Sequence, residues 1–222
     1  MKKGAKRLLI IVICISSFVC ISGIIAYSTL KGSAVSEDGG IYLPEEATYQ
    51  TLMDSLKSGQ ETPIKKVGLF DRTARMLGLD KGVKPGYYRL KKGTSYINAV
   101  RIFQRGLQTP VRVTFNNIRT LEQLSARVSQ QLQPDSAAFA QTLLASATAS
   151  NYGFDKQTFI AMFIPDTYEM YWTSTPEGFI DRMKKEYDRF WNEERTAKLA
   201  ETGLSREEAI TLASIVYEET KM

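Results

Sequence analysis

Between Lys84 and Phe115 the sequence reads KPGYYRLKKGTSYINAVRIFQRGLQTPVRVTF. The Pro-Gly pair near its start is typical of a turn, and the Tyr-rich residues after it predict a strand up to Leu90. Apolar residues at helical spacing then predict a helix that ends at Gly106. Alternation of apolar and polar residues up to Phe115 predicts a returning strand. We therefore expect a small α+β module.

A related pattern precedes this module. The apolar residues Ile41–Leu43 predict a short strand, and the apolar residues between Tyr49 and Leu56 recur at the spacing of a helix face. A second helix is predicted over about Lys66–Leu77. The α+β region thus extends over residues 41–115.

The chain from residue 116 onward is predicted to be mostly helical. Thr120 and Asp135 are suitable N-cap residues, and Ser205 with Glu208 has the spacing of a capping box. The predicted helices are Thr120–Leu132, Asp135–Leu144, Pro176–Ala200 and one that begins at Ser205.

The N-terminus carries a long uncharged stretch. Leu8–Leu30 holds no charged residue and would rise about 35 Å as a helix, which is enough to cross a bilayer core of about 30 Å. The basic residues in 1–7 favour a cytoplasmic tail. We expect an uncleaved signal anchor over 8–30, with a cleaved signal peptide as the alternative. The small polar residues 31–40 predict a flexible linker.

Composition excludes several classes of function. The chain has no His, and its two Cys, Cys14 and Cys20, both lie in the apolar stretch. A Ser-His-Asp triad, a His-ligated zinc site and a disulfide framework are therefore excluded. We expect no metal and no cofactor, and an enzyme of this composition would use a carboxylate, Tyr or Lys as its acid or base.

The net charge of +5 is mostly a property of the tail. Without Lys2, Lys3, Lys6 and Arg7, the chain has 25 basic and 24 acidic residues. The basic character then reflects membrane topology, and we expect no nucleic-acid partner.

The last helix offers a candidate acid. In SREEAITLASIVYEETKM, from Ser205 to Met222, helical spacing places Glu219 on the same side as Leu212 and Val216. Burial among apolar groups disfavours a carboxylate, so it would raise the pKa of Glu219 and favour proton donation at neutral pH. The alternative is a solvated, frayed helix end.

A second candidate site is FIPDTYEMYW, from Phe163 to Trp172. Its aromatic faces suit packing on sugar rings, and its polar groups suit hydroxyls, so we expect a loop that lines a saccharide groove. The alternative is a loop whose aromatic rings fill the core. The candidate binding residues are Asp166, Thr167, Tyr168 and Trp172.

These motifs resemble a known family, the YceG-like endolytic murein transglycosylases. LASIVYEET, from Leu212 to Thr220, is similar to the signature helix L-A-S-I-[VI]-E-x-E-[TA], and IPDTYE, from Ile164, is similar to the segment P-[DN]-T-Y. Lys84–Gly106 resembles the small LysM-like module that precedes the catalytic region.

The resemblance implies a function. Residues 41–115 would be the LysM-like region, and residues 116–222 the N-terminal part of the catalytic domain. The enzyme would cleave the bond between N-acetylmuramic acid and N-acetylglucosamine in peptidoglycan and leave a 1,6-anhydro end. Glu219 would be the catalytic acid and then base, with Glu218 as second choice.

The resemblance also implies a location, a single-pass protein of the bacterial cytoplasmic membrane with its C-terminal domain outside. Peptidoglycan synthases and divisome proteins are further candidate partners. A membrane-tethered module that binds peptidoglycan without cutting it is the alternative function.

Two departures from the family pattern affect these expectations. Tyr217 stands where the signature has its first Glu. Family members also continue past this helix with N-R-L and L-Q-x-D-P-T segments, which the sequence does not contain. We therefore expect a fragment that lacks part of the catalytic cleft.

Overall fold

The computed structural model describes residues 13, 15–18, 20, 21, 23, 27–58 and 63–220. The chain divides into two compact units, Met1–Thr109 and Pro110–Met222. Each unit has its own hydrophobic core and its own two-stranded antiparallel sheet. The predicted α+β class is confirmed.

The first unit places a short sheet against helices. Ile41 and Leu43 of one strand and Tyr88 and Leu90 of the other point inward and are buried. Alternation along each strand sends the next residues to the outer face. The elements are β1 (Gly39–Leu43), α1 (Tyr49–Ser58), α2 (Val67–Met76), a 3₁₀ turn (Leu79–Lys81), β2 (Gly86–Leu90) and α3 (Tyr96–Arg105).

Helix α3 ends at Gly106, as the sequence predicts, and begins after Ser95. The Ser95 hydroxyl accepts a hydrogen bond from the Asn98 N–H, and Gly106 ends the helix with φ of 68°. That left-handed conformation favours glycine. Phe103 on the buried face contacts the rings of Phe70 and Tyr88, with centroids 6.1 and 5.0 Å apart. These contacts fix α3 to β2 and α2.

The predicted flexible linker over 31–40 is wrong from Ala34 onward. Ala34 and Val35 are fully buried in the first core. The Ala34 N–H donates to the Thr94 carbonyl at 2.8 Å, and the Ser36 N–H donates to the Pro63 carbonyl at 2.8 Å. This segment is part of the fold because two small apolar side chains are buried and its backbone N–H groups are hydrogen-bonded.

The second unit is mostly helical, as predicted. Thr120 and Asp135 cap helices with their side chains, each accepting from the N–H three residues later. Its elements are β3 (Val111–Phe115), α4 (Leu121–Ser129), α5 (Ser136–Leu144), α6 (Ser146–Asn151), a 3₁₀ turn (Phe159–Met162), β4 (Asp166–Met170), α7 (Pro176–Phe190), α8 (Glu193–Thr202) and α9 (Arg206–Glu219).

Strand β3 forms where predicted but pairs with a different partner. It is antiparallel to β4, with Val111 opposite Met170 and Phe115 opposite Asp166. The Thr109 N–H donates to the Tyr87 carbonyl at 2.7 Å, and the chain leaves β2 beyond that residue. The returning strand therefore belongs to the second unit, and the first unit ends at Thr109 rather than at residue 115.

The single helix predicted over Pro176–Ala200 is two helices. Trp191 has ψ of 57°, outside the helical region, and ends α7. The Asn192 side chain then accepts a hydrogen bond from the Arg195 N–H at 2.9 Å and caps α8. Asparagine followed by two glutamates is a helix start signal that the apolar periodicity obscured.

The core of the second unit is centred on one phenylalanine. The Phe179 ring lies 6.2 Å from Phe115, 5.7 Å from Phe139 and 5.9 Å from Phe163, measured between centroids. These rings come from β3, α5 and the segment before β4. Helix α7 thereby holds the hairpin and the preceding helices together.

The predicted membrane anchor is covered only in part. Residues 1–7 and many of 8–30 lie outside the described residues, and the described ones from 27 to 31 are helical. Within the part of the chain that the structure describes, no helix has both the length and the apolar character needed to span a bilayer.

The pairing of β3 with β4 predicts a specific cross-link. Thr114 and Thr167 lie opposite each other with their hydroxyl oxygens 2.8 Å apart. We expect Thr114→Cys with Thr167→Cys, in a chain with Cys14 and Cys20 replaced by Ser, to form a disulfide under mild oxidation. The chain is cleaved between the two positions, and a non-reducing gel shows whether the disulfide keeps the fragments together. The control pairs Thr114→Cys with Glu169→Cys, and equal cross-linking of both pairs would contradict the register.

Candidate functional site

The predicted saccharide loop is mostly a strand. Asp166–Met170 forms β4, so Tyr168 and Met170 point into the core while Asp166 and Glu169 are exposed. The sequence interpretation as a loop was wrong, because pairing with β3 decides the conformation of this segment. Its four candidate residues therefore have different environments.

Tyr168 is part of the core. Its side chain is 7% exposed, its ring stacks on Phe115 with centroids 5.6 Å apart, and its hydroxyl donates to the Ile164 carbonyl. Burial, together with the negative charges of Asp166 and Glu186, raises its pKa to about 12. For Tyr168, the alternative that the aromatic rings of this segment fill the core is therefore correct.

The other three candidates are closer to the surface. The Asp166 carboxylate accepts from the Thr167 N–H at 2.7 Å, and the Thr167 hydroxyl bonds to that of Thr114. Trp172 is half-buried, and its carbonyl accepts from the Gln133 N–H at 2.8 Å. Asp166 and Trp172 thus retain surface that a ligand can reach.

The predicted capping box at the start of α9 is present. The Glu208 carboxylate accepts from the Ser205 N–H at 2.8 Å, and the Ser205 hydroxyl accepts from the Glu208 N–H at 3.2 Å. The first of these hydrogen bonds lowers the pKa of Glu208 below its usual value. These two hydrogen bonds therefore define where α9 begins.

The apolar face of α9 is open to solvent. Ile210 packs against the second core, whereas Leu212, Ile215 and Val216 are each about half exposed, Val216 at 53%. Glu219 is exposed as well, so the described residues do not bury it among apolar groups as the sequence hypothesis required. The side chain of Glu218 lies outside the described part.

A groove separates α8 from α9. It has a volume of about 580 Å³ and a mainly apolar lining, to which Tyr217 also contributes. Glu219 is not one of the lining residues. The groove is lined by Leu199, Thr202, Leu204, Ala209, Leu212, Ala213, Val216, Tyr217 and Thr220.

A second, polar cleft lies at the other end of α9 and was missed by sequence analysis. It has a volume of about 630 Å³ and is lined in part by Asp155, Ser205, Glu207 and Glu208. The Glu207 carboxylate accepts from the Tyr187 hydroxyl at 3.3 Å. No sequence signal links Asp155 to a helix about 50 residues later. The described residues contain no group of three acidic or Cys side chains arranged to hold a metal ion.

Comparison with known proteins identifies similar chains. The model of the YceG-like family matches residues 41–222. None of the curated proteins matches the chain. A crystal structure of a yceG-like protein from Listeria monocytogenes is 17% identical, covers 77% of this chain and has a TM-score of 0.42. The match spans 60% of the length of that solved chain.

The burial of Tyr168 predicts a structural role. We expect Tyr168→Phe to lower the free energy of unfolding by about 1 kcal/mol, because the Ile164 carbonyl loses its donor. Urea denaturation measures this change. Tyr171→Phe is the control, since Tyr171 is exposed, and should change stability by less than about 0.5 kcal/mol. Unchanged stability with weakened glycan binding would instead return Tyr168 to the binding site.

The tyrosines of the second unit predict alkaline destabilisation. The pKa values of Tyr152, Tyr168 and Tyr187 are raised from 10.0 to about 12, mainly by burial. Because the folded pKa is the higher one, the stabilisation is complete below about pH 10 and is lost as the pH rises toward about 12. Urea denaturation across that range, with phenolate absorbance, measures it. Ionisation of all three near pH 10 in the folded chain would contradict the prediction.

Proposed function

The chain belongs to the YceG-like family, and from this premise we propose that it acts as a membrane-anchored endolytic murein transglycosylase. The observation that carries the proposal is that the family match extends through α9, which bears the paired carboxylates Glu218 and Glu219. The substrate is the glycan strand of peptidoglycan.

The proposed chemistry needs one carboxylic acid, which suits a chain without His. The acid protonates the glycosidic oxygen as the bond from C1 of N-acetylmuramic acid breaks. The resulting carboxylate then takes the proton of the C6 hydroxyl as that oxygen bonds to C1. The products are an N-acetylglucosamine with a free hydroxyl and a 1,6-anhydromuramoyl end, and no water is consumed.

Glu219 is the proposed acid and base, with Glu218 as second choice. Because Glu219 is exposed, bound substrate would have to remove water from its carboxyl group. A sugar laid along α9 beside Leu212 and Val216 would remove water from both the carboxyl and these side chains, which favours the protonated acid. Substrate binding and activation of the acid are thus coupled in this proposal.

The other proposed contacts come from residues outside α9. Asp166, Thr167 and Trp172 are proposed to bind sugar hydroxyls and ring faces, and residues 8–30 to anchor the chain in the cytoplasmic membrane with the two units outside. The uncharged stretch and the basic residues before it support that location.

One observation favours a second candidate function. Among the described residues, few cover the C-terminal half of α9, where Ile215 and Val216 are about half exposed, whereas catalytic carboxyls are usually tuned by their protein surroundings. A membrane-tethered module that binds peptidoglycan without cutting it needs no such surroundings.

The proposal is tested by digestion of purified peptidoglycan. We expect the chain to release fragments with 1,6-anhydromuramoyl ends, which mass spectrometry distinguishes from hydrolysis products by the missing water. Glu219→Gln should lower the rate at least about 100-fold, because it removes the proton transfer. Glu201→Gln, at an exposed glutamate of α8, is the matched control and should retain the wild-type rate.

The outcomes separate the hypotheses. Loss of activity in Glu218→Gln with activity retained in Glu219→Gln would overturn the assignment of Glu219. Release of hydrolysed ends would overturn the transglycosylase reaction. Binding of peptidoglycan by the unmodified chain without any release would favour the non-catalytic module. Circular dichroism confirms that each variant keeps its helices.

A further inference from the structure

The outer face of the first sheet carries two tyrosines that the core does not use. Tyr42 of β1 lies directly opposite Tyr87 of β2, on the face away from the buried Ile41 and Tyr88. Their rings are stacked, with centroids 4.5 Å apart and planes inclined by 28°. Tyr42 remains 52% exposed. This surface, made by Tyr42, Tyr87 and Gly40, is named the tyrosine platform.

Gly40 makes room for the Tyr87 ring. It neighbours Tyr42 on the same face, and a Cβ placed at Gly40 would lie 2.5 Å from the Tyr87 ring. The Tyr87 ring therefore extends over the backbone of Gly40, a position that any larger residue would obstruct. Because the two rings stack on each other, the ring surface that a ligand can reach belongs mainly to Tyr42, which is 52% exposed.

Positive charge lies at one end of the platform. Arg89, opposite Gly40 in the register, is 3.4 Å from the Asp38 carboxylate. The Asp38 carboxylate also accepts from the Lys92 N–H at 2.8 Å, and the side chains of Lys91 and Lys92 are exposed. Arg89 is thus paired with Asp38, whereas the exposed Lys91 and Lys92 add two further positive charges just after β2, which leaves an excess of positive charge at that end of the strand.

The net charge of residues 31–109 of the first unit has the same sign. Residues 31–109 contain 13 basic and 8 acidic residues, whereas residues 110–222 contain 12 basic and 16 acidic residues. The first unit is therefore the part of the chain that attracts anionic polymers, and the near neutrality of the exported residues hides this difference.

We propose that the tyrosine platform is a binding site for glycan strands that carry carboxylates, distinct from the proposed catalytic helix. A pyranose ring has flat apolar faces of C–H groups that can pack on an exposed tyrosine ring, and its substituents can reach Arg89, Lys91 and Lys92. The identification of the strand as peptidoglycan, whose stem peptides supply carboxylates, rests on the proposed function.

The proposal is tested by measuring the affinity of the full chain in detergent micelles for soluble peptidoglycan fragments that retain their stem peptides. All chains carry Glu219→Gln, so that strands are not cut. We expect Tyr42→Ala to raise Kd about three- to tenfold, the value of one aromatic contact. Met76→Ala, which also removes an exposed apolar side chain of the first unit, is the control and should leave Kd unchanged.

Two further measurements separate stacking from charge. Tyr42→Leu keeps an apolar side chain but loses the flat face, so it should weaken binding as much as Tyr42→Ala. Lys91→Ala with Lys92→Ala should weaken binding to the peptidoglycan fragments and reduce its dependence on salt, but not weaken binding to neutral chitin oligosaccharides. Equal Kd for Tyr42→Ala and the parent chain would overturn the proposal, as would tighter binding of a single-stranded oligonucleotide than of the fragments.

Failure of this proposal differs from failure of the proposed function. Binding that depends on Tyr42, in a protein that releases no anhydro ends, supports the platform and contradicts the enzymatic assignment. Release of anhydro ends, with an affinity for the fragments that does not depend on Tyr42, supports the enzymatic assignment and contradicts the platform.

Discussion

The packing of Phe179 against three other aromatic rings is the interaction on which the second unit depends. Phe115, Phe139 and Phe163 come from parts of the chain that are distant in sequence, and each contacts the Phe179 ring within about 6 Å. Helix α7 thereby fixes both β3 and the segment that leads into β4. The burial of Tyr168 against Phe115 follows from this arrangement, so a residue that appeared suited to sugar binding is held in the core instead.

The partner of β3 determines where the chain divides. The Thr109 N–H donates to the Tyr87 carbonyl, and the chain leaves β2 at that point. Strand β3 then pairs with β4, more than 50 residues later. Local patterns predict that a strand exists, but its partner depends on contacts across the sequence, and for that reason the predicted strand-helix-strand module was incorrect.

The candidate site illustrates the same distinction. The capping box at Ser205 and the spacing of apolar residues along α9 depend only on neighbouring residues, and both are present in the structure. The environment of Glu219 depends on what covers the apolar face of α9, and there the described residues leave it exposed. Helical periodicity identifies an apolar face but not its partner, whereas a pKa shift by burial requires that partner. The polar cleft around Asp155 and Glu207 could not be predicted because its lining residues are brought together only by folding.

The sequence by itself determined the α+β class, the caps at Thr120, Asp135 and Ser205, most helices and the family, because these depend on local hydrogen bonds, periodicity and short motifs. Tertiary structure decided the pairing of β3, the burial of Ala34 and Tyr168, the break between α7 and α8, and the exposure of Tyr42 beside Tyr87. Tyr87 and Tyr88 are adjacent and chemically identical, yet one lies on the outer face and the other in the core. The pleat separates them, and only packing against the rest of the unit decides which face is buried.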